Sequence, residues 1–230
     1  MGRARGSVNV EIVLYFFANL DLIWARTLEH LSIVSVAIGA AIVTGVPIGI
    51  AITRNRQLAE AVLYVAGIIM TIPSIALFGI MIPIFSMIGH GIGWVPAVAA
   101  VFLYSQLPII RNTYTAIDNV DPALREAARG MGMTTLQRLR SVEIPMSIPV
   151  ILAGVRTAAV INIGIAAIAT YIGAGGLGSF IARGISQSDP NQLVVGAVTV
   201  SILAIIVDYV LLWVQNRLTP PGLKQGAEAG

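Results

Sequence analysis

The residues best placed to do specific chemistry lie between Asp121 and Pro145. The run from Asp121 through Arg129 reads as a helix opening at Pro122, with Glu126, Ala127 and Ala128 on good helix formers. Gly130 and Gly132 break it before a second short helix that runs to Pro145. Two short helices on an arginine-bearing loop between greasy stretches make a docking surface, and the chemistry they offer is recognition by charge and shape.

The spacing is specific. Glu126-Ala127-Ala128, Gly132, Val142, Ile144 and Pro145 follow the pattern Glu-Ala-Ala, a gap, Gly, a longer gap, aliphatic-x-aliphatic-Pro. This resembles the cytoplasmic coupling loop of the permease subunits of binding-protein-dependent ABC importers, departing at Val142 and Ile144, where that pattern usually has Ile and Leu. Two further blocks, Leu103 to Tyr114 and Asn162-Ile-Gly with Ile172 to Gly178, resemble osmoprotectant permeases for glycine betaine, choline, carnitine or proline betaine. The similarity runs over roughly residues 30–220. It implies an all-α, polytopic inner-membrane bundle with a five-span core and a cytoplasmic coupling helix. It also implies a second permease copy or paralogue, cytoplasmic ATP-binding subunits and an extracytoplasmic substrate-binding protein. In that setting Ala127 and Ala128 give a small face around which a groove can close. Gly130 and Gly132 permit close approach, Arg125, Glu126 and Arg129 contact the ATPase by charge, and Pro145 sets the exit angle of the next span.

Chemistry of other kinds is poorly provided for. A phosphate-binding loop of the Gly-x4-Gly-Lys-Ser/Thr type needs its lysine on the phosphates, and Lys224 is the sole lysine. ATP is therefore assigned to a partner subunit, with no cofactor in this chain. Gly173 to Gly178 superficially matches a dinucleotide fingerprint but follows a span rather than a strand, and reads as a glycine turn into a short re-entrant or interfacial helix. His30 and His90 near span ends read as solvated interface residues, no spacing suggests a metal, and no Ser, His and Asp gather as a triad requires. With no cysteine there is no disulfide or thiolate chemistry. The arginines are scattered and accompany no nucleic-acid module, so nucleic acid is not a partner.

The elements that must carry the loop are membrane spans. The chain is 57% apolar and 11% charged, so the bilayer is its solvent. Spans are expected at about 31–53, 58–88, 94–110, 148–172 and 193–214, with the coupling loop at 118–145 and a tail at 219–230. Pro73 and Pro83 predict that the second is kinked, ending in a short broken piece, and Pro108 marks the inner end of the third. Residues 1–30, with Tyr15, Phe16, Phe17 and Trp24, predict an extracytoplasmic interfacial helix rather than a signal peptide.

Orientation follows from the basic residues. Arg54, Arg56, Arg111, Arg125, Arg129, Arg138, Arg140, Arg217 and Lys224 fall on one side, against Arg3, Arg5, Arg26 and Arg183 on the other. The positive-inside rule places the N-terminus outside and the C-terminus in the cytoplasm. Ser74, Tyr104, Thr157, Asn162 and Thr170 are candidates for the translocation path, each equally suited to interhelical hydrogen bonding. An aromatic cage for a quaternary ammonium is not evident in the scattered aromatics, which points to the external binding protein as the selective element. Arg156 and Asp208 are charges at matching depths in the fourth and fifth spans and predict a structural ion pair. The alternatives are a permease for a different small solute, an ATP-independent secondary transporter or channel, and a membrane scaffold.

Overall fold

A computed structural model describes residues 11–220, so Arg3, Arg5 and Lys224 of the orientation argument lie outside the described residues. Residues 11–18 are helical (α1), and Asn19 turns the chain into α2 (Leu20–Ile52). α2 has 33 residues, about 50 Å at 1.5 Å per residue, against a hydrocarbon core of about 30 Å. It begins well before the expected Leu31. Charged side chains interrupt the apolar run there without breaking the helix, because Arg26 and Glu29 pair one turn apart at 2.7 Å.

The expected second span is two helices, α3 (Arg56–Thr71) and α4 (Ser74–Ser86), bent by 99°. Pro73 causes the bend: it drives Ile72 to an extended conformation and ends α3. α5 (Trp94–Asp118) continues through Pro108 instead of ending near Ile110. Pro108 is buried among neighbouring helices, where ending the helix would leave backbone groups without water or partner.

After α6 (Pro122–Gly130), the expected separate second helix is absent. α7 (Thr135–Arg138), a π-helical turn (Leu139–Glu143), α8 (Ile144–Ala166) and a 3-10 stretch (Ala167–Ile172) instead follow one another without a break. A capping box on Thr134 and Gln137 starts this rod. Short α9 (Gly178–Ser186) and long α10 (Pro190–Leu218) complete the described chain. Among the described residues, four helical segments are long and apolar enough to cross a membrane, or five if α3 and α4 count as one bent span.

α5 is the hub, packing on α2, α3, α4 and α8, while α10 packs on α8 and α9. Small residues allow close approach. A Cβ on Gly49 of α2 would lie 2.6 Å from Thr113 Cβ, and one on Gly154 of α8 would lie 2.5 Å from Asn112 Cβ. Three consecutive α5 residues then reach three neighbours, as side chains 100° apart around a helix must. Tyr104 donates to the Ile72 carbonyl at the α3–α4 break, Ser105 accepts from Asn162 of α8 at 3.0 Å, and Gln106 donates to Thr44 of α2 at 3.1 Å.

Candidate coupling and translocation site

α6 is built to be seen from outside. Asp121 caps it by accepting from Ala123 N–H at 2.8 Å, Pro122 sits in its first turn, and Arg129 lies in its last. Leu124, Glu126, Ala127, Arg129 and Gly130 are exposed, and Met131 just beyond is 69% exposed. Gly132, at φ +78°, makes the left-handed turn that carries the chain from α6 toward α7, with open space where its Cβ would be.

The two alanines face opposite ways. Ala127 is exposed, whereas Ala128 is 1% exposed and packs inward, so only the first is open to a groove. Arg125 also differs from the expectation of an outward contact. Its guanidinium donates to the Ile117 and Asp118 carbonyls at the end of α5, and its Nε lies 3.5 Å from Glu143 Oε1. These carbonyls lie in the last turn of α5, where helical donors run out and Ile117 otherwise accepts from Val120 N–H at 3.3 Å, so Arg125 braces the end of α5 instead of reaching out. Pro145 occupies the first turn of α8, where its missing N–H costs nothing.

Sequence reasoning missed Glu143, which is 6% exposed and pairs with Arg138 at 2.7 Å. An acid beside two prolines at a span boundary reads as solvated; the available signal was Arg138 five residues earlier, meaningful only in a π turn.

At the opposite end, Gly173, Gly175 and Gly176 all have positive φ and form the expected turn into α9. Glu29 accepts from Gly176 N–H at 2.9 Å, and a Cβ on Gly178 would overlap the Ala167 carbonyl, so the turn is pinned against α2 and the end of α8. His30 is fully buried, not solvated: its Nε2 meets the Ile163 carbonyl at 2.9 Å. His90 is exposed.

The path candidates divide. Tyr104 and Asn162 are buried and engaged between helices, Asn162 donating to both Ser105 and its own helix at Ala158. Ser74 and Thr170 are half-buried. Thr157 is exposed, donates to the Ala153 carbonyl, and lines a cavity of about 380 Å³ with Arg156, Val160, Ile161 and Asp208. Arg156 and Asp208 form an ion pair between α8 and α10, each side chain 32% exposed.

The family described as the binding-protein-dependent transport system inner membrane component matches residues 41–220. The osmoprotectant import permease protein OsmW of Salmonella typhimurium is 54% identical, over 94% of this chain and all of that one. The glycine betaine/carnitine/choline transport system permease protein OpuCB of Bacillus subtilis is 45% identical, over 86% of this chain and 89% of that one. Among solved structures, an inward-facing form of the MetNI methionine ABC transporter contains a chain that superposes with TM-score 0.77, at 24% identity, over 86% of this chain and 97% of that one, a likeness of fold. The helices, the exposed loop and these matches together make the chain a member of the binding-protein-dependent transport system inner membrane component family.

Proposed function

We propose that this chain is the membrane subunit of an ATP-driven importer for osmoprotectants of the glycine betaine, carnitine and choline kind. It forms the translocation path with a second permease copy or paralogue, receives solute from an extracytoplasmic binding protein, and has no ATPase site of its own. The observation that carries the substrate class is the 54% identity over 94% of the chain to a relative named as an osmoprotectant import permease.

α6 is the ATPase dock in this reading, through Glu126, Ala127, Arg129 and Gly130. Arg125, Ala128, Gly132 and Pro145 hold and aim it. ATP-driven closure of the ATPase pair moves α6 and, with it, α8, tilting the bundle between inward-open and outward-open states. Arg156, Thr157 and Asp208 are the polar groups on the cavity face of α8 and α10, with the ion pair as a structural tie. Tyr104 and Asn162 support the path from behind, and Ser74 and Thr170 flank it. The N-terminal segment is extracytoplasmic, and α6 and the C-terminus are cytoplasmic.

Reconstitution in proteoliposomes with the ATPase and binding protein tests this. Uptake of labelled glycine betaine, choline or carnitine that requires ATP is the expected result; uptake of methionine alone, or uptake independent of ATP, contradicts it.

A further inference from the structure

α6 buries little of itself. Of the α6 residues only Ala128 is buried, and the turn from Gly130 to Thr134 that follows is exposed apart from half-buried Met133. A helix so loosely seated would swivel under load unless something else fixed its angle. The fixing contact is ionic: Glu143 lies between Arg125 on α6 and Arg138 on α7, its Oε1 2.7 Å from Arg138 Nε and 3.5 Å from Arg125 Nε.

The local helix geometry makes this contact possible. In an α-helix at 100° per residue, Arg138 and Glu143 would point about 140° apart. The π turn closes instead with the Ile144 N–H on the Leu139 carbonyl, five residues back, and this brings residues five apart over one another. A π turn departs from the better-packed α geometry and recurs at functional positions. Here the departure aims one carboxylate inward. The same carboxylate then meets Arg125, whose other nitrogen holds the last turn of α5 through Ile117 and Asp118. One acid thus ties together the dock, the end of the hub helix and the start of the Thr135–Ile172 rod. A cavity of about 230 Å³ lies beside the cluster, reaching Thr53 and Arg54 just after α2.

We propose that Glu143 is the positioning residue of coupling: through Arg125 and Arg138 it locks α6 to the α7–α8 rod, so that displacement of the dock tilts the rod instead of flexing the turn at Gly130–Thr134. The proposal rests on the reading of α6 as the ATPase dock. In it Glu143 acts through Arg125 and Arg138, the two groups it pairs with.

The test is solute moved per ATP hydrolysed, measured in proteoliposomes on the complete complex. In Glu143→Gln, which keeps the shape and removes the charge, this ratio is expected to fall about tenfold, within the range by which residues on a coupling route act. A purely structural role would lower yield and both rates together and leave the ratio at its wild-type value, which would overturn the proposal. Should Glu143→Gln fail to assemble, Arg138→Gln is judged by the same ratio and the same outcomes, and Arg138→Lys, which keeps the charge, is expected to recover part of the loss. Failure of the underlying reading looks different: Ala127→Glu would leave the ATPase attached and uptake normal, overturning both.

Discussion

His30 Nε2 lies 2.9 Å from the carbonyl oxygen of Ile163, joining α2 to the place where α8 tightens into its 3-10 end. At that joint the Ala167 N–H turns to later carbonyls and leaves Ile163 without its helical donor, which the buried imidazole replaces. His30→Leu is expected to lower stability by about 1–3 kcal/mol, the cost of a buried acceptor left unmet. Thermal unfolding of the purified protein in detergent reads this, and an unchanged melting temperature would show the contact to be idle.

Helix packing gives a paired prediction. Gly49→Ala puts a methyl 2.6 Å from Thr113 Cβ, while Gly39→Ala on the same helix meets nothing within 4 Å. The first should destabilise by about 1–3 kcal/mol through overpacking. The second should be neutral or gain up to about 1 kcal/mol from helix propensity. Equal melting temperatures for the two variants would contradict the close α2–α5 contact.

On the loop, two neighbouring alanines should fail in different ways. Ala127→Glu is exposed and is expected to insert normally yet lose ATPase co-purification and uptake. Ala128→Glu buries a charge at a site that is 1% exposed and is expected to reduce the amount of folded protein itself. Membrane levels and ATPase co-purification of the two variants, compared side by side, check this.

The ion pair of Arg156 and Asp208 is expected to behave as a unit. Each single change, Arg156→Gln or Asp208→Asn, strands a charge at the depth of the hydrocarbon and should cost about 1.5–3 kcal/mol, with the double variant recovering part of it. A double-mutant cycle on melting temperature that shows strict additivity would remove the coupling.

Topology is open to direct labelling because the native chain has no cysteine. Arg54→Cys should be shielded from an impermeant thiol reagent on intact cells, and Gln187→Cys, exposed after α9, should react. Gly175 is the poorer reporter on that side, since a side chain there would meet Glu29 Oε2 at 2.4 Å on a backbone at φ +75°. Equal labelling of Arg54→Cys and Gln187→Cys would contradict the proposed orientation.

Apolar runs and prolines made most of the architecture legible. The bend at Pro73 and the glycine turn before α9 follow from single residues whose backbone limits are absolute. The helix limits at Leu20 and Asp118 did not, because the Arg26–Glu29 pair lets α2 run through its charged start, and a proline as buried as Pro108 stops a helix only where water can satisfy the freed groups. The Glu-Ala-Ala spacing marked the exposed loop helix α6, yet not which of its side chains face outward. The inward turns of Arg125 and Ala128 depend on the π turn and on the end of α5, both tertiary facts. His30 and Glu143 escaped for a shared reason: a lone polar residue near a span boundary looks solvated until its partner, distant in sequence or set by an unusual helix turn, is known.

The separation of Arg156 and Asp208 along the chain has a consequence for biogenesis. The acid follows the arginine by 52 residues. At about 5–20 residues per second, α8 waits roughly 3–10 s in the membrane before the acid that neutralises its arginine is even synthesised. During that interval the newborn span carries a lone arginine costing about 2.5–3.5 kcal/mol, held in place by its apolar flanks. A nascent chain truncated before Asp208 keeps that charge permanently unmatched, so arrival of the last helix is the event that neutralises α8.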